Sequence, residues 1–339
     1  MDQAAVKAAV AALLSRVGLS TTGLRVEPCA AGGNNRVFRV DAGGRAMAAK
    51  CYFRHPSDTR DRLNSEYAFL EYARQAGIGC VPRVVARDDR AGMALYDFIE
   101  GSKLRVESLS GSQIEQAQDF FASLNEAGAR VQGKSLSDAS EACFTIAEQL
   151  RLVQGRIDRL ARIPASSRID EEAIAFAQAL RARWTALSER VLDQAVTLGI
   201  DPKSPLADRD RCISPSDFGF HNAIVAPAGQ VFFIDFEYAG WDDPAKAISD
   251  FFCHPAVPVP FEYFDGFLAA ALKYSENLEE LSRRARLLLP VFRIKWCCIV
   301  MNDFLPLFEE RRFPDPAIDV AARKQGQLQK ARGLLESVR

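Results

Sequence analysis

Two patterns of apolar residues divide the chain into a strand-rich first part and a mostly helical remainder. Segment 1–18 carries apolar side chains at helical spacing and predicts a helix. Short alternating apolar runs, broken by Gly and Asn pairs, then predict three strands joined by hairpin turns. These strands lie at about 24–30, 35–41 and 45–53.

The pattern that follows completes a sheet and then becomes helical. One helical run ends at Gly77, and two alternating runs flank a turn at Asp88–Gly92. Three strands, one helix and two strands predict a five-stranded antiparallel sheet that carries one main helix. We therefore predict an α+β, bilobal fold. Its lobes span 1–100 and 101–339, and a helical insert at 105–200 belongs to the larger, mostly helical second lobe.

Composition narrows the class of protein. The chain has 339 residues, 48% of them hydrophobic, and a net charge of −1, so neither nucleic acid nor a membrane is an expected partner. The N-terminal helix lacks the basic start and unbroken apolar core of a signal peptide, and we expect a cytoplasmic protein. The eight cysteines form no CxxC pair, which predicts reduced thiols rather than a zinc site or disulfide framework.

The stretch AAGGNNRVF (30–38), between the first two predicted strands, contains candidate phosphate-binding residues. Gly32 and Gly33 allow a tight turn, and their backbone N–H groups can approach a phosphate closely. A Gly-Gly-Asn-Asn hairpin turn without a ligand is the commoner interpretation of such a stretch. The glycines alone leave both interpretations open.

Lys50 stands in a predicted strand that is otherwise apolar, and Glu66 lies on the following helix. Burying a lysine without a partner is costly. A Lys–Glu pair between a strand and a helix is the arrangement that holds a lysine against nucleotide phosphates. An exposed edge-strand lysine and an exposed glutamate remain an alternative for the pair taken alone.

The strongest pattern lies in Ile213–Pro244. Asn222 follows Asp217 by five residues, and Asp235 comes 13 residues later, after an apolar strand. Phosphoryl transfer to a hydroxyl uses one carboxylate near the acceptor, and an amide oxygen with a second carboxylate for Mg²⁺. Unrelated turn and cap residues account for Asp217 or Asn222 singly. They do not account for the whole ordered set with the upstream Lys–Glu pair.

The motifs DFGFHN (217–222) and IDFEYAGWDDP (234–244) resemble those of the aminoglycoside phosphotransferase/choline kinase-like family, small-molecule kinases with the protein-kinase-like fold. The resemblance covers roughly 24–310. It implies that lobe 1–100 binds the nucleotide, that 213–244 contains the catalytic loop, and that later helices bind the acceptor. A protein kinase is disfavoured, since neither an activation segment nor an APE motif follows Asp235.

The resemblance also implies a role for each site residue. Asp217 corresponds to the catalytic aspartate, and Asn222 and Asp235 to the magnesium ligands. Lys50 and Glu66 match the phosphate lysine and its helix partner. The other implied nucleotide contacts are Gly32, Gly33, Asn34 and Asn35 in the phosphate loop and the backbone at Asp97 and Ile99 in the hinge. We further expect Glu237 to assist the metal through a water molecule.

Two positions depart from the family pattern. The family usually has a histidine two residues before the catalytic aspartate, where this chain has Pro215. Proline fixes φ and is an alternative way to stiffen the loop. The family also often has DPxxD after the metal strand. Here Ala247 stands at the second acidic position, and Asp250 lies about one turn further along.

We therefore predict an ATP- and Mg²⁺-dependent phosphotransferase, a monomer or homodimer, that acts on a hydroxyl of a sugar, amino alcohol or hydroxy amino acid. Two alternatives stay open: a nucleotide-binding pseudokinase with a regulatory role, which the missing histidine supports, and an antibiotic-modifying aminoglycoside kinase. Charges are balanced from Phe236 onward, which gives no support to a polycationic acceptor. The candidate acceptor-binding residues are Trp241, Asp242, His254, Arg293, Trp296 and Asp303.

Overall fold

A computed structural model describes residues 3–29, 35–54, 58, 60–306 and 319–338. The chain forms two compact units. The first contains Met1–Ser140 and Pro215–Gly240, and the second contains Glu141–Ser214 and Trp241–Arg339. These units are defined by compactness, whereas the predicted boundary near residue 100 divides a nucleotide-binding lobe from the rest. That boundary stays a prediction.

The first unit contains the antiparallel sheet that the alternating runs predict. Its spatial order is β1-β2-β3-β5-β4, and every neighbouring pair is antiparallel. The strands are β1 (Arg25–Pro28), β2 (Arg36–Ala42), β3 (Arg45–Cys51), β4 (Val84–Asp88) and β5 (Met93–Asp97).

The two faces of this sheet carry different helices. Helix α1 (Gln3–Arg16) buries an apolar stripe against one face, in a core that includes Met47 and Ala49 of β3. Because side chains alternate along a strand, Lys50 points to the other face. Helix α2 (Arg62–Gln75) supplies the partner residue there, and it begins with Asp61, whose side chain accepts from the N–H of Asn64 at 3.1 Å.

A second, small sheet in this unit carries the candidate catalytic segment. Its order is β6-β8-β9, with β6 (Ser102–Lys103), β8 (Ala223–Val225) and β9 (Val231–Phe233). A Cβ atom at Gly101 would collide with the carbonyl oxygen of Val225, so the close pairing of β6 with β8 requires glycine. Helices α3 (Gly111–Leu124) and α4 (Ala127–Gln132) complete the described part of the unit.

The second unit is mostly helical. A long helix, α9, packs against α5, α6, α7 and α10. The helices are α5 (Ile146–Leu160), α6 (Arg168–Thr197), α7 (Pro244–Cys253), α8 (Phe264–Ala271), α9 (Leu278–Val300) and α10 (Val320–Glu336). Strands β7 (Cys212–Ser214) and β10 (Gly240–Asp242) pair with each other. Among the described residues, we find no helix with the length and apolarity needed to cross a membrane.

Buried ion pairs join α7 to α9 inside the second unit. Asp243 caps α7 and accepts from Arg284 at 2.7 Å. Asp250 pairs with Lys295 at 2.6 Å and accepts from the indole N–H of Trp296 at 2.8 Å. Asp250, which lies beyond the family's second acidic position, therefore ties two helices together.

The observed elements confirm the predicted α+β class, with an antiparallel sheet in the first part and helices in most of the remainder. The apolar periodicity of QIEQAQDFFASLNEAG (113–128) predicts one continuous helix, and that prediction was wrong. The helical run through 113–128 is interrupted at Asn125, whose side chain folds back to the carbonyl of Phe121 at 3.1 Å and whose backbone caps α3. Asparagine competes for backbone hydrogen bonds in this way, and the periodicity of apolar residues does not report it.

We expect Asp250→Ala to lower the free energy of unfolding by about 3–5 kcal/mol, because it leaves the buried ammonium of Lys295 without its carboxylate. Urea unfolding followed by circular dichroism measures this. The matched control is Asp265→Ala. It removes the exposed partner of Arg286, which lies on α9 as Lys295 does and forms an ion pair of 2.7 Å with Asp265. That change should cost less than about 1 kcal/mol. Equal losses for the two variants would contradict the structural role of Asp250.

Candidate active site

Lys50 lies between two carboxylates in the first unit. Its Nζ is 2.5 Å from Oε2 of Glu66 and 2.5 Å from Oδ1 of Asp235. The side chains of Lys50 and Glu66 are 8% and 5% exposed, whereas that of Asp235 is 36% exposed. The structure thus brings together three of the predicted site residues, and it rules out the exposed edge-strand alternative for Lys50.

The electrostatics of this cluster favour a permanently charged lysine. Burial penalises the charge on Lys50, but the carboxylates of Asp235 and Glu66 outweigh that penalty and raise the pKa of the lysine above its ordinary value. Burial also raises the pKa of Glu66, since the attraction of Lys50 only partly offsets the loss of solvent. Lys50 therefore presents a positive charge at physiological pH.

Two buried tyrosines hold Glu66 from the other side. The hydroxyl of Tyr52 donates to Oε2 of Glu66 at 2.7 Å, and the hydroxyls of Tyr52 and Tyr96 are 2.5 Å apart. Tyr52 lies two residues after Lys50 and so shares its face of the sheet, and Tyr96 is opposite Ala48 in the neighbouring strand. Burial raises the pKa of Tyr52 well above its ordinary value, so its hydroxyl remains a donor.

Asp235 has an unusual backbone conformation. Its φ is 70°, in the left-handed region that residues other than glycine seldom adopt. Such a conformation persists where surrounding contacts hold it. Phe236 supplies one of these contacts, because its buried ring stacks on Phe69 of α2 with ring centroids 4.5 Å apart.

Asp217 follows a very tight turn. Ser216 has a φ of 66°, and the N–H of Asp217 donates to the carbonyl of Pro215 at 2.9 Å. This bond between residues two apart is that of a γ-turn. Ser216 is buried, and its Oγ lies 3.4 Å from the carbonyl of Ser140. A backbone turn thus stands where the family usually has a histidine.

Asn222 lies beside Asp217 and beside the strand that leads to Asp235. Its Nδ2 donates to the carbonyl and to Oδ2 of Asp217, at 3.1 and 3.3 Å. Its own carbonyl accepts from the N–H of Ile234 at 2.9 Å, which extends the pairing of β8 with β9. His221 also contacts the aspartate, with Nε2 3.4 Å from Oδ1 of Asp217. The hairpin therefore places Asn222 opposite the residue before Asp235.

The phenylalanines within the DFGFHN motif anchor the loop. Phe218 and Phe220 are both buried, and the ring of Phe218 meets that of Phe233 edge-on at 5.3 Å. Phe218 also stacks near Phe121 of α3, with centroids 5.9 Å apart. These contacts fix the loop against the small sheet, so the two phenylalanines act in packing.

Asn222 and Asp235 carry oxygen atoms of the type that binds Mg²⁺. Because Nδ2 of Asn222 faces Asp217, its Oδ1 is turned to a different side. Asp235 keeps a partly exposed carboxylate while one of its oxygens contacts Lys50. A carboxylate and an amide oxygen are the hard ligands that Mg²⁺ prefers.

Only some of the remaining predicted nucleotide-binding residues lie in the part of the chain that the structure describes. Gly32, Gly33 and Asn34 lie outside the described residues, whereas Asn35 is buried at the start of β2. In the hinge, the N–H of Asp97 donates to the carbonyl of Arg83 at 2.9 Å. The N–H of Asp97 is thus used within the sheet, and the adenine contacts of the Asp97 and Ile99 backbone stay a prediction.

Several acceptor candidates in the second unit have structural partners there. Asp242 is fully buried and pairs with Lys246 at 2.6 Å. Trp296 is 7% exposed, donates to Asp250, and meets the ring of His254 edge-on at 4.5 Å. The other candidates with recorded contacts are Asp303, which pairs with Arg323 at 2.7 Å, and Arg293, which donates to the carbonyl of Ser337.

Sequence reasoning missed Arg62 and Tyr52, which contact Glu237 and Glu66 directly, and Tyr96, which reaches Glu66 only through the hydroxyl of Tyr52. A signal was present for two of them. Arg62 lies four residues before Glu66 and so occupies the same face of α2, and Tyr52, directly after β3, lies two residues beyond Lys50 and so on its side of the sheet. Tyr96 has no such local signal, because its position depends on the register between β3 and β5.

We expect Tyr52→Phe to lower the free energy of unfolding by about 1–3 kcal/mol, because it leaves buried oxygens of Glu66 and Tyr96 with one partner fewer. Tyr52→Phe/Tyr96→Phe should cost less than the sum of the two single changes, since the hydroxyls bond to each other. Urea unfolding of the four proteins measures the coupling. Tyr67→Phe on α2 is the control, because its ring contact with Arg87 at 4.4 Å survives the change. Strict additivity would contradict the hydroxyl pair.

Solved structures share this fold at low sequence identity. Spectinomycin phosphotransferase APH(9)-Ia, solved with ADP and spectinomycin, is 11% identical, covers 100% of this chain and 98% of its own, and has a TM-score of 0.62. A choline/ethanolamine kinase family protein from Mesorhizobium loti is 18% identical, with 99% and 96% covered and a TM-score of 0.59. Choline kinase LicA from Streptococcus pneumoniae is 16% identical, with 98% and 99% covered and a TM-score of 0.58.

These likenesses confirm the predicted protein-kinase-like fold. A search of curated proteins found no match to the sequence. The model of the phosphotransferase enzyme family, however, matches residues 25–288, which is most of the chain. The chain therefore belongs to the phosphotransferase enzyme family and is a small-molecule kinase by class, as its catalytic-loop and metal-strand motifs predict.

Proposed function

We propose that the protein is an ATP- and Mg²⁺-dependent phosphotransferase that transfers the γ-phosphoryl group to a hydroxyl of a small molecule. The observation that carries this proposal is the position of Lys50 between Glu66 and Asp235. The catalytic-loop pair Asp217 and Asn222 adjoins the strand that bears Asp235. A cytoplasmic location, and a monomeric or homodimeric state, belong to the same proposal.

In the proposed reaction each residue has one task. Lys50 binds the phosphates, and Glu66 orients it. Asn222 and Asp235 hold Mg²⁺, which neutralises charge on the triphosphate when bound. The oxygen of the acceptor hydroxyl attacks the γ-phosphorus, and Asp217 accepts the proton of that hydroxyl. The bond between the γ-phosphorus and the oxygen that bridges to the β-phosphate breaks, and ADP leaves. Positioning and charge neutralisation supply most of the rate.

For the acceptor we propose a neutral or anionic hydroxyl compound such as a sugar or hydroxy amino acid. An amino alcohol is the next class of compound to test. The balanced charge from Phe236 onward supports this choice over a polycation. A screen of hydroxylated metabolites by ligand-induced thermal stabilisation, in the presence of ADP and MgCl2, identifies the class. Stabilisation by aminoglycosides alone, followed by their phosphorylation, would favour an antibiotic-modifying kinase instead.

We expect Asp217→Asn to lower turnover at least a hundredfold while ATP binding survives, because the asparagine keeps the shape but cannot accept the proton. Magnesium-dependent ATP consumption with the identified acceptor measures turnover, and calorimetry measures binding. Near-normal turnover would reject Asp217 as the proton acceptor. If the unaltered protein binds nucleotide but consumes no ATP with any acceptor, a regulatory module is favoured.

Asp235→Ala is expected to abolish the effect of Mg²⁺ on nucleotide binding, because it removes a proposed ligand of the ion. The measurement is calorimetric titration with ATP, with and without MgCl2. Asp41→Ala is the control, since Asp41 lies at the far end of β2 and forms an exposed ion pair with Arg39 at 3.3 Å. If Asp235→Ala retains the full magnesium effect, the metal assignment is wrong.

A further inference from the structure

Glu237 is held more tightly than a residue that assists a metal through water would be. It is 3% exposed. Its Oε2 accepts from Nδ2 of Asn35 at 2.5 Å, and its Oε1 accepts from the guanidinium of Arg62. Both carboxylate oxygens are thus committed to protein donors. We call Asn35, Arg62 and Glu237 the Glu237 cluster.

Arg62 is equally constrained. It is 5% exposed, pairs with Asp58 at 2.8 Å, and also donates to the hydroxyl of Tyr238. A buried ion pair seldom adds net stability over apolar residues of similar volume, because removing both charges from water is expensive. Stability of the fold alone therefore does not account for the presence of this pair.

Each member of the cluster lies next to a proposed nucleotide or metal group. Asn35 directly follows the phosphate-loop residues 32–34, and its Oδ1 also accepts from the N–H of Phe53 at 3.1 Å. Arg62 is one helical turn before Glu66 on α2. Glu237 is two residues after Asp235. The cluster therefore joins the three segments that carry the proposed phosphate and metal contacts.

A second group of charged residues, formed by Lys50, Glu66 and Asp235, also links helix α2 to segment 235–237. In one, Glu66 of α2 and Asp235 share Lys50. In the other, Arg62 of α2 contacts Glu237. Phe236, which lies between Asp235 and Glu237 in the sequence, stacks on Phe69, which lies about one turn after Glu66 on α2. Helix α2 is therefore fixed to segment 235–237 at three successive points.

We propose that Asn35, Arg62 and Glu237 are positioning residues, which set Asp235 in the geometry that binds Mg²⁺-nucleotide without touching the reacting atoms. This inference rests on the proposed function. The left-handed backbone of Asp235 supplies the reason for such a device, since its carboxylate direction depends on contacts that hold the residues on either side. Partners of this kind around metal ligands typically change metal affinity about 10–100-fold.

The test separates positioning from stability. Glu237→Gln removes the charge that pairs with Arg62, and Arg62→Met/Glu237→Met replaces both charges with apolar side chains of similar length. Calorimetry gives the affinity for ADP with and without MgCl2, and urea unfolding gives the stability. We expect each variant to lose about tenfold of the magnesium-dependent gain in ADP affinity. This includes the double variant, which removes the pair of charges itself, while Asp58 keeps its ion pair with Arg60 at 2.6 Å. Asn35→Ala, a milder change, provides the same readout if the double variant does not fold.

The control is Arg74→Ala, which removes an exposed arginine on the same helix that pairs with Glu71 at 3.1 Å. It should leave both affinities unchanged. A folded Glu237→Gln or Asn35→Ala protein that keeps the magnesium-dependent gain within twofold overturns the positioning role. An unaltered protein that shows no magnesium-dependent gain at all overturns the proposed function instead, and the positioning role with it.

Discussion

The architecture of the first unit depends on how a lysine is kept charged inside it. An ammonium group removed from water needs nearby anions, and Lys50 obtains them from a helix, through Glu66, and from Asp235, two residues after the end of β9. The two anions would repel each other without the cation between them. Strand, helix and hairpin are therefore positioned by one shared charge, and the tyrosine pair beneath Glu66 completes its hydrogen bonds.

Unusual backbone geometry is concentrated at the two acidic residues that face the proposed chemistry. Asp235 itself has a positive φ, and Asp217 is preceded by Ser216 with a positive φ. Positive φ is unfavourable for residues other than glycine, although aspartate tolerates it better than serine, so packing has to maintain it at both positions. At Asp217 the buried rings of Phe218 and Phe220 do so, and at Asp235 the stacked Phe236 and the bonds of Glu237 do.

Sequence patterns predict those features that depend on residues close together in the chain. The sheet, the face of Lys50 and the spacing of Asp217, Asn222 and Asp235 follow from alternation and a short hairpin, all of which are legible in the chain. The contact between Asn35 and Glu237 joins residues 202 positions apart, and that between Arg62 and Glu237 joins residues 175 apart. No periodic pattern encodes such contacts. The turn at Ser216 was equally hidden, because serine has no preference for positive φ.

The three-point attachment of α2 limits how this helix can move. To rotate it away from segment 235–237, two buried ion pairs and one stacked ring pair would have to separate together, since Arg62, Glu66 and Phe69 occupy one face of a rigid helix. We therefore expect any detachment of the helix to be cooperative, with little population of states in which only some of the three contacts are broken.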